Sequence, residues 1–372
     1  MIKFCTPVNL KYFNWASTGL IPLKTKNEML SLINYLSRKG NPDKEFIESI
    51  VEDCRRNAGE LLNAKPESIA LTHNTSEGLF IAMLNIISDK DKIICDKNAF
   101  PSTHYILNYN FPNNEKIFID IDYDDPLSSI KKHIRKNVKV VVVDLVNYAN
   151  GNYIELKDAG RYLKEKGIYL VVDGIQGIGC FQFNPYEYNV DFLSVGGTKW
   201  LLGIFGSGFL YVNPDILPKI KKVYTGWLAA PWKNFTDFSI FPEPYEDGRR
   251  FETGTKNIIS LKGLSENLKI FNYVGLQKIE KKIQILKIAF INFISEYGFT
   301  LYTIKSSRSG IVSIKHNLLN SEEIYNFLNK KKVIISLRND LLRFSFHYFN
   351  NLDDVNYVTR RLKFFLTKKG FL

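Results

Sequence analysis

Asp173 and Lys199 are the two residues whose type and place in the chain most suggest chemistry. Asp173 ends the apolar run Val171-Val172 and is followed by Gly174-Ile175-Gln176. In open α/β sheets ligands collect at the carboxyl ends of strands, and an acid there can hold a cationic ligand atom. The alternative is an aspartate that only caps the turn after its strand. Lys199 stands at the end of another strand-like stretch, behind Gly196-Gly197-Thr198. Glycines let backbone approach a ligand closely. A partly desolvated lysine in such a place gives up its proton and can act as a nucleophile or form a Schiff base. A lysine on a surface turn is the plainer reading.

Two further stretches offer binding groups. Thr72-His73-Asn74-Thr75-Ser76 runs from a strand into a helix start. Free backbone N–H groups and the hydroxyls of Thr75 and Ser76 there would suit an anion, phosphate above all. The competing reading is an ordinary N-cap by Thr75. Arg249-Arg250-Phe251-Glu252-Thr253-Gly254-Thr255 and Arg338-Asn339-Asp340-Leu341-Leu342-Arg343 supply cations near expected domain junctions. Each signal is modest. Their order carries more: a phosphate-type helix start, an aromatic, a strand-end acid with Gln176, a strand-end lysine, then late arginines. That set suits a phosphorylated pyridine aldehyde.

The elements that must position these groups alternate through the middle of the chain. Residues 69–72, 92–95, 116–121, 138–144, 168–173, 191–195 and 208–212 read as strands. The run Val140-Val141-Val142-Val143 suits a strand buried on both faces of a parallel sheet. Helical stretches at 76–87, 127–136 and 156–166 lie between them, which is the pattern of crossover connections. After residue 258 come two long amphipathic helices (258–273 and 276–297). Short strands, a helix at 321–329 and a last helix from Leu352 follow. We expect an α/β fold with a large domain on a mostly parallel sheet, residues 26–257. A smaller α+β C-terminal domain, residues 258–372, would follow, and residues 1–25 would pack at the junction.

Composition bounds the function. The 372 residues are 45% hydrophobic and 24% charged, which is ordinary for a globular protein and rules out a disordered one. No apolar run is long enough to span a bilayer, and the first ten residues lack the apolar core of a signal peptide. Four scattered cysteines with no CxxC pair suggest a reduced, cytoplasmic protein without a disulfide framework or structural metal. The net charge of +12 is spread along the chain, so it speaks against a dedicated nucleic-acid surface, although an acidic substrate or partner stays open. The densest cluster, Lys330-Lys331-Lys332, reads as a solvated helix end.

From Phe13-Asn14-Trp15-Ala16-Ser17-Thr18-Gly19 to Arg343-Phe344-Ser345-Phe346-His347-Tyr348-Phe349-Asn350 the chain resembles the class V aminotransferase family. Those are fold-type I enzymes of pyridoxal 5'-phosphate, among them cysteine desulfurases, isopenicillin N epimerase-like proteins and kynureninases. The resemblance is most specific between Asp173 and Tyr211. It implies that Lys199 forms the Schiff base and Asp173 pairs with the pyridine nitrogen. It implies further that Gln176 meets the ring hydroxyl and that Phe100 stacks on the ring. Thr75, Ser76 and Thr198 would bind the phosphate. Gly254 and Thr255 match the segment that reaches the phosphate from a neighbouring subunit, so a homodimer with shared active sites is expected. Trp227 belongs either to that shared wall or to the core.

The substrate would be a small molecule, an amino acid or an amine. Arg338 and Arg343 are the candidates for its carboxylate: a desulfurase-like alignment favours Arg338 and a kynureninase-like one Arg343. Alternation along the strand sets Arg343 opposite Leu342, Phe344 and Phe346, which turns it towards the cleft and ranks it first. The other reading is a surface tether. Departures narrow the reaction. No cysteine follows Cys180, which speaks against a persulfide route, and Gln176 stands where kynureninases have His. Transamination is the first reading. A β-lyase, an α-carbon epimerase and a non-catalytic binding protein of the same fold are the alternatives.

Overall fold

The computed structural model describes residues 2–5, 10–40, 42–232, 239 and 241–371, so part of the expected N-terminal segment lies outside the described residues. The chain opens with β1 (Lys11–Tyr12), α1 (Leu23–Lys39) and α2 (Lys44–Leu62). It continues as β2 (Ile69–Thr72), α3 (Thr75–Ile86), β3 (Lys92–Asp96), α4 (Pro101–Asn110), β4 (Lys116–Ile119) and α5 (Pro126–Lys131). Then come β5 (Val138–Asp144), α6 (Lys157–Glu165), β6 (Tyr169–Asp173), β7 (Phe192–Gly196) and β8 (Gly208–Val212). Helices α7 (Ile258–Val274) and α8 (Leu276–Ser295) precede β9 (Phe299–Leu301), β10 (Ile311–His316) and α9 (Ser321–Lys330). The last elements are β11 (Val333–Ile334), β12 (Ser336–Arg338), β13 (Leu341–Ser345) and α10 (Leu352–Lys368).

Seven strands form one sheet in the order β2-β8-β7-β6-β5-β3-β4. Pairing is parallel from β4 through β7, and β8 runs antiparallel to both of its neighbours. Val141 and Val143 of β5 enter one apolar cluster, while Val140 and Val142 enter the other on the opposite face. Each side chain so buried contributes about 1.5–3 kcal/mol relative to exposure. A four-stranded antiparallel sheet, β12-β13-β10-β9, forms the second layer system, flanked by α8, α9 and α10. Helix α7 opens the stretch expected to be the small domain. Its Asn267 nevertheless accepts from Thr25 Oγ1 (2.6 Å) and its Ser265 hydroxyl accepts from Asn57, so it docks on α1 and α2. No helix among the described residues is long and apolar enough to cross a membrane.

Two register facts position the site. Strands β5 and β6 pair Asp144 with Asp173, so two carboxylates stand side by side at the carboxyl edge of the sheet. The N-terminal segment then threads between the two sheets. Ala16 N–H donates to Ser345 Oγ of β13 (3.0 Å) and Gly19 N–H donates to the Thr198 carbonyl (2.7 Å). Only a residue without Cβ fits at 19, because a Cβ there would lie 2.3 Å from the Lys199 carbonyl oxygen.

Candidate active site

Lys199 sits in the turn after β7 with its ammonium 5.3 Å from the centroid of the Phe100 ring. Burial pushes this amine down to about 8, against the opposing pull of Asp173. A lysine held there is neutral in a useful fraction at ordinary pH. Asp173 is buried, and its carboxylate accepts from Ile175 N–H (2.9 Å). It caps its turn, and its charge also acts on Lys199. Burial raises its carboxyl to about 6, while the Ile175 bond and the Lys199 charge pull it back.

Asp144 is the residue that sequence reasoning missed. It is buried and raised well above the carboxylate range, by burial first and the Asp173 charge second. One oxygen accepts from Phe100 N–H (2.9 Å), and the other is buried without a partner among the described residues. The aspartate therefore fixes the start of α4, where Phe100 precedes Pro101 in the first helical position. The signal in the sequence was a second acid ending a valine strand, which reads equally well as a turn cap.

The helix start at α3 resolves differently from the N-cap reading. The cap is Asn74, whose side chain accepts from Glu77 N–H, and Thr75 is the first helical residue. Its hydroxyl is buried and without a partner among the described residues. Gly196 lies against it, and a Cβ at 196 would come within 2.9 Å of that hydroxyl. Ser76 accepts from the Ser102 hydroxyl (2.6 Å), which links α3 to α4 beside Phe100. Thr198 meets Gly19 through its carbonyl.

Gln176 has partners within the chain. Its Nε2 donates to the Ala16 carbonyl (3.0 Å), and its Oε1 accepts from Trp200 Nε1 (2.9 Å). One N–H of the amide remains for a ligand. Trp200 stacks on His347, whose Nε2 meets the Trp200 carbonyl, and burial lowers that imidazole to about 4, so it is neutral.

Both late arginines reach the Lys199 side of the molecule. Arg343 is buried: Nε donates to Ser336 Oγ (3.0 Å), Nη1 to the Tyr148 carbonyl and Nη2 to Ser17 Oγ (2.7 Å). Arg338 is exposed and reaches the same Ser17 oxygen at 3.4 Å. Ser17 was named in the sequence only as part of a resemblance, since nothing local marks a serine that meets residues more than 300 positions away.

Gly254, Thr255 and Trp227 stand apart from this group. Trp227 and Thr255 line a separate groove of about 650 Å³ with Tyr245 and Arg249, and neither Lys199 nor Asp173 borders it. The segment is anchored from below. Glu252 pairs with Arg55 of α2 (2.5 Å) and Lys256 (3.2 Å), and accepts from Leu71 N–H (2.8 Å). Among the described residues no cluster of three metal-ligating side chains occurs.

The family model described as Aminotransferase class-V matches residues 23–358. An uncharacterised aminotransferase of Bacillus subtilis is 26% identical, over 86% of this chain and 85% of its own length. A probable cysteine desulfurase of Pyrococcus abyssi is 27% identical, over 92% and 91%. A solved cystine C–S lyase, in complex with its product cysteine persulfide, superposes with a TM-score of 0.88 at 20% identity, covering 97% of this chain and 99% of that one.

Proposed function

The chain belongs to the class V aminotransferase family of pyridoxal-phosphate enzymes, and from that premise we propose that it is an aminotransferase working on an amino acid through Lys199. The residues fit the cofactor. The unpartnered Thr75 hydroxyl beside Gly196 is a cradle that a phosphate oxygen would complete, and the buried Asp173 carboxylate suits a ring N–H. Thr75, Ser76 and Thr198 would hold the phosphate, Asp173 the ring nitrogen, Gln176 the ring hydroxyl through its remaining N–H, Phe100 the ring face and Lys199 the aldehyde. When bound, that group supplies an aldehyde for the substrate amine and a ring that accepts the electrons released at the α-carbon.

The observation behind this reading is the desolvated Lys199 amine held beside Phe100, placed to move the α-proton that transamination requires. The side chain facing the amine is a hydrocarbon ring, which neither gives nor takes a proton. One amine can move a proton from the substrate α-carbon to a neighbouring position on its own side. Arg343 keeps one N–H on each terminal nitrogen, the pair that binds a substrate carboxylate side by side.

β-Elimination from a sulfur amino acid is the second reading, favoured by the desulfurase and C–S lyase among the similar proteins. Three of the four cysteines, Cys54, Cys95 and Cys180, are poor candidates for a thiol-mediated route, being buried with thiols raised by burial, Cys54 to about 12; Cys5 is exposed.

We further propose a homodimer in which Gly254 and Thr255 serve the partner's phosphate site. The separate groove that Thr255 borders supports this, as does the buried Glu252 pairing that holds the segment in place.

The test is a panel of amino acids given to the cofactor-loaded protein with and without a 2-oxo acid acceptor, with the nitrogen isotopically labelled. Transamination moves the label to the acceptor and needs it. Pyruvate and free ammonia formed without acceptor would establish elimination instead. Borohydride treatment should fix the cofactor on the Lys199 peptide, and label on another lysine would remove the assignment.

A further inference from the structure

Arg343 and Arg338 meet at one oxygen. Both direct Nη2 at the Ser17 hydroxyl, at 2.7 and 3.4 Å. The hairpin explains the meeting. Strands β12 and β13 are joined through Asn339 and Asp340, both left-handed at φ 48° and 64°. The register sets Ser336 opposite Arg343 and Arg338 opposite Leu341. Residues two apart on a strand share a face, so Ser336, Arg338 and Arg343 all project to one side.

The arrangement is electrostatically incomplete. Neither guanidinium has a carboxylate partner among the described residues. Arg343 is 2% exposed, and burial and the Arg338 charge both disfavour its own charge. Its spare N–H groups suffice for one carboxylate. Among the described residues Arg338, on the solvent side, bonds only Ser17 and the Leu337 carbonyl (3.3 Å), which leaves most of its five donors facing outward.

We propose that the substrate carries two carboxylates: Arg343 takes the one on the α-carbon, and Arg338, steadied by Ser17, takes one on the side chain. The preferred class is then the acidic amino acids. This rests on the reading that substrate enters beside Lys199. A neutral side chain would leave one of two crowded cations without a counter-charge.

The test uses probes that cannot react, so its outcome is separate from the identity of the reaction. Succinate and glutarate are titrated calorimetrically into the cofactor-loaded protein beside butyrate and valerate. The dicarboxylates should bind about tenfold more tightly, as a charge-assisted pair implies. Arg338→Gln should bring them down to the monocarboxylates while leaving the latter nearly unchanged, and Arg343→Gln should weaken all four. Equal binding of both kinds by the unaltered protein would overturn the proposal. So would a uniform loss in Arg338→Gln, which marks a merely structural role. Tighter binding of 3-phosphonopropionate than of succinate would overturn the choice of carboxylate. Failure of the amino-group transfer assay would leave these affinities unaffected.

Discussion

Asp144 and Asp173 face each other across neighbouring parallel strands, and both carboxyls are buried at the edge where Lys199 emerges. Two acids so placed resist being ionised together. Their proton-holding has a defined consequence for the cofactor-free protein. Asp173 is raised to about 6 from 3.8, and Asp144 is also raised. A group whose folded value lies above its unfolded value binds more protons in the native state. Its contribution is therefore complete at low pH and is lost as pH rises through the folded value. For Asp173 alone the change is about 3 kcal/mol. Denaturation of the cofactor-free protein from pH 4 to 8 should show it losing stability, as pH rises to about 6, relative to a variant with Asp173 and Asp144 both replaced by Asn.

Asp144 also accepts the Phe100 N–H, which separates its two roles. Asp144→Asn keeps an acceptor for that N–H and loses only the titration. Asp144→Leu loses both and leaves a half-buried donor without its partner, at about 1 kcal/mol. Cofactor affinity, followed by absorbance, should fall in the Leu variant and stay near normal in the Asn variant. Equal losses would show that the bond to Phe100 does not position the ring.

Lys199 gives the opposite pH sign. Its amine is lowered to about 8 from 10.5, so the native chain holds fewer protons there than the unfolded one between those values. Stability rises with pH across that interval. Below it the buried cation is a burden of roughly 3 kcal/mol. Lys199→Met should be more stable than the parent at pH 7, with the gap closing above pH 8. Labelling of Lys199 by trinitrobenzenesulfonate should have a midpoint near 8. A midpoint near 10.5 would remove the desolvated-amine description.

The sequence displayed the sheet because burial on two faces leaves continuous apolar runs, as in Val140 to Val143. Asp173 and Lys199 were legible for the same reason: each polar group interrupts the end of such a run. Helices α1 and α2 were not, since their stripes are mixed with many Lys, Glu and Asn residues, and only Leu32, Ile50, Cys54 and a few others are buried. Ser17 became visible only when β13 and the N-terminal segment met. The internal partners of Gln176 likewise depend on Ala16 and Trp200, which no local pattern connects.

Thr75 separates stability from binding. Its hydroxyl is buried without a partner in the described chain. Removing an unsatisfied polar atom relieves about 1–3 kcal/mol, and valine is close in shape. Thr75→Val should therefore leave the cofactor-free protein as stable as before or more so, while weakening its affinity for inorganic phosphate and for the cofactor. Loss of both properties would mean that the hydroxyl has an internal role instead. Gly196→Ala should reproduce the binding defect, because its methyl would press on the same oxygen.

Glu252 is the anchor of the segment proposed to serve the partner. It holds Arg55 and Lys256 as ion pairs and takes the Leu71 N–H, all in the interior. Removing one member of a buried charge network leaves the others uncompensated, at about 3–5 kcal/mol. Glu252→Gln should lose stability on that scale. Arg55→Met with Glu252→Leu removes the principal pair and should recover part of it, with Lys256 as the remaining stranded charge. The pH signature is distinct from that of Asp173. Burial works against the Glu252 charge, but Arg55 and Lys256 outweigh it, so the carboxyl is held below its ordinary value of 4.5. Its contribution is present above 4.5 and is lost as pH falls through the folded value. Acid unfolding of the parent below about pH 4.5 should therefore be steeper than that of Glu252→Gln. If Gly254 and Thr255 complete a neighbouring site, the variant should also lose cofactor affinity and dimer stability together. Unchanged cofactor affinity with a fully destabilised fold would confine Glu252 to holding the chain together.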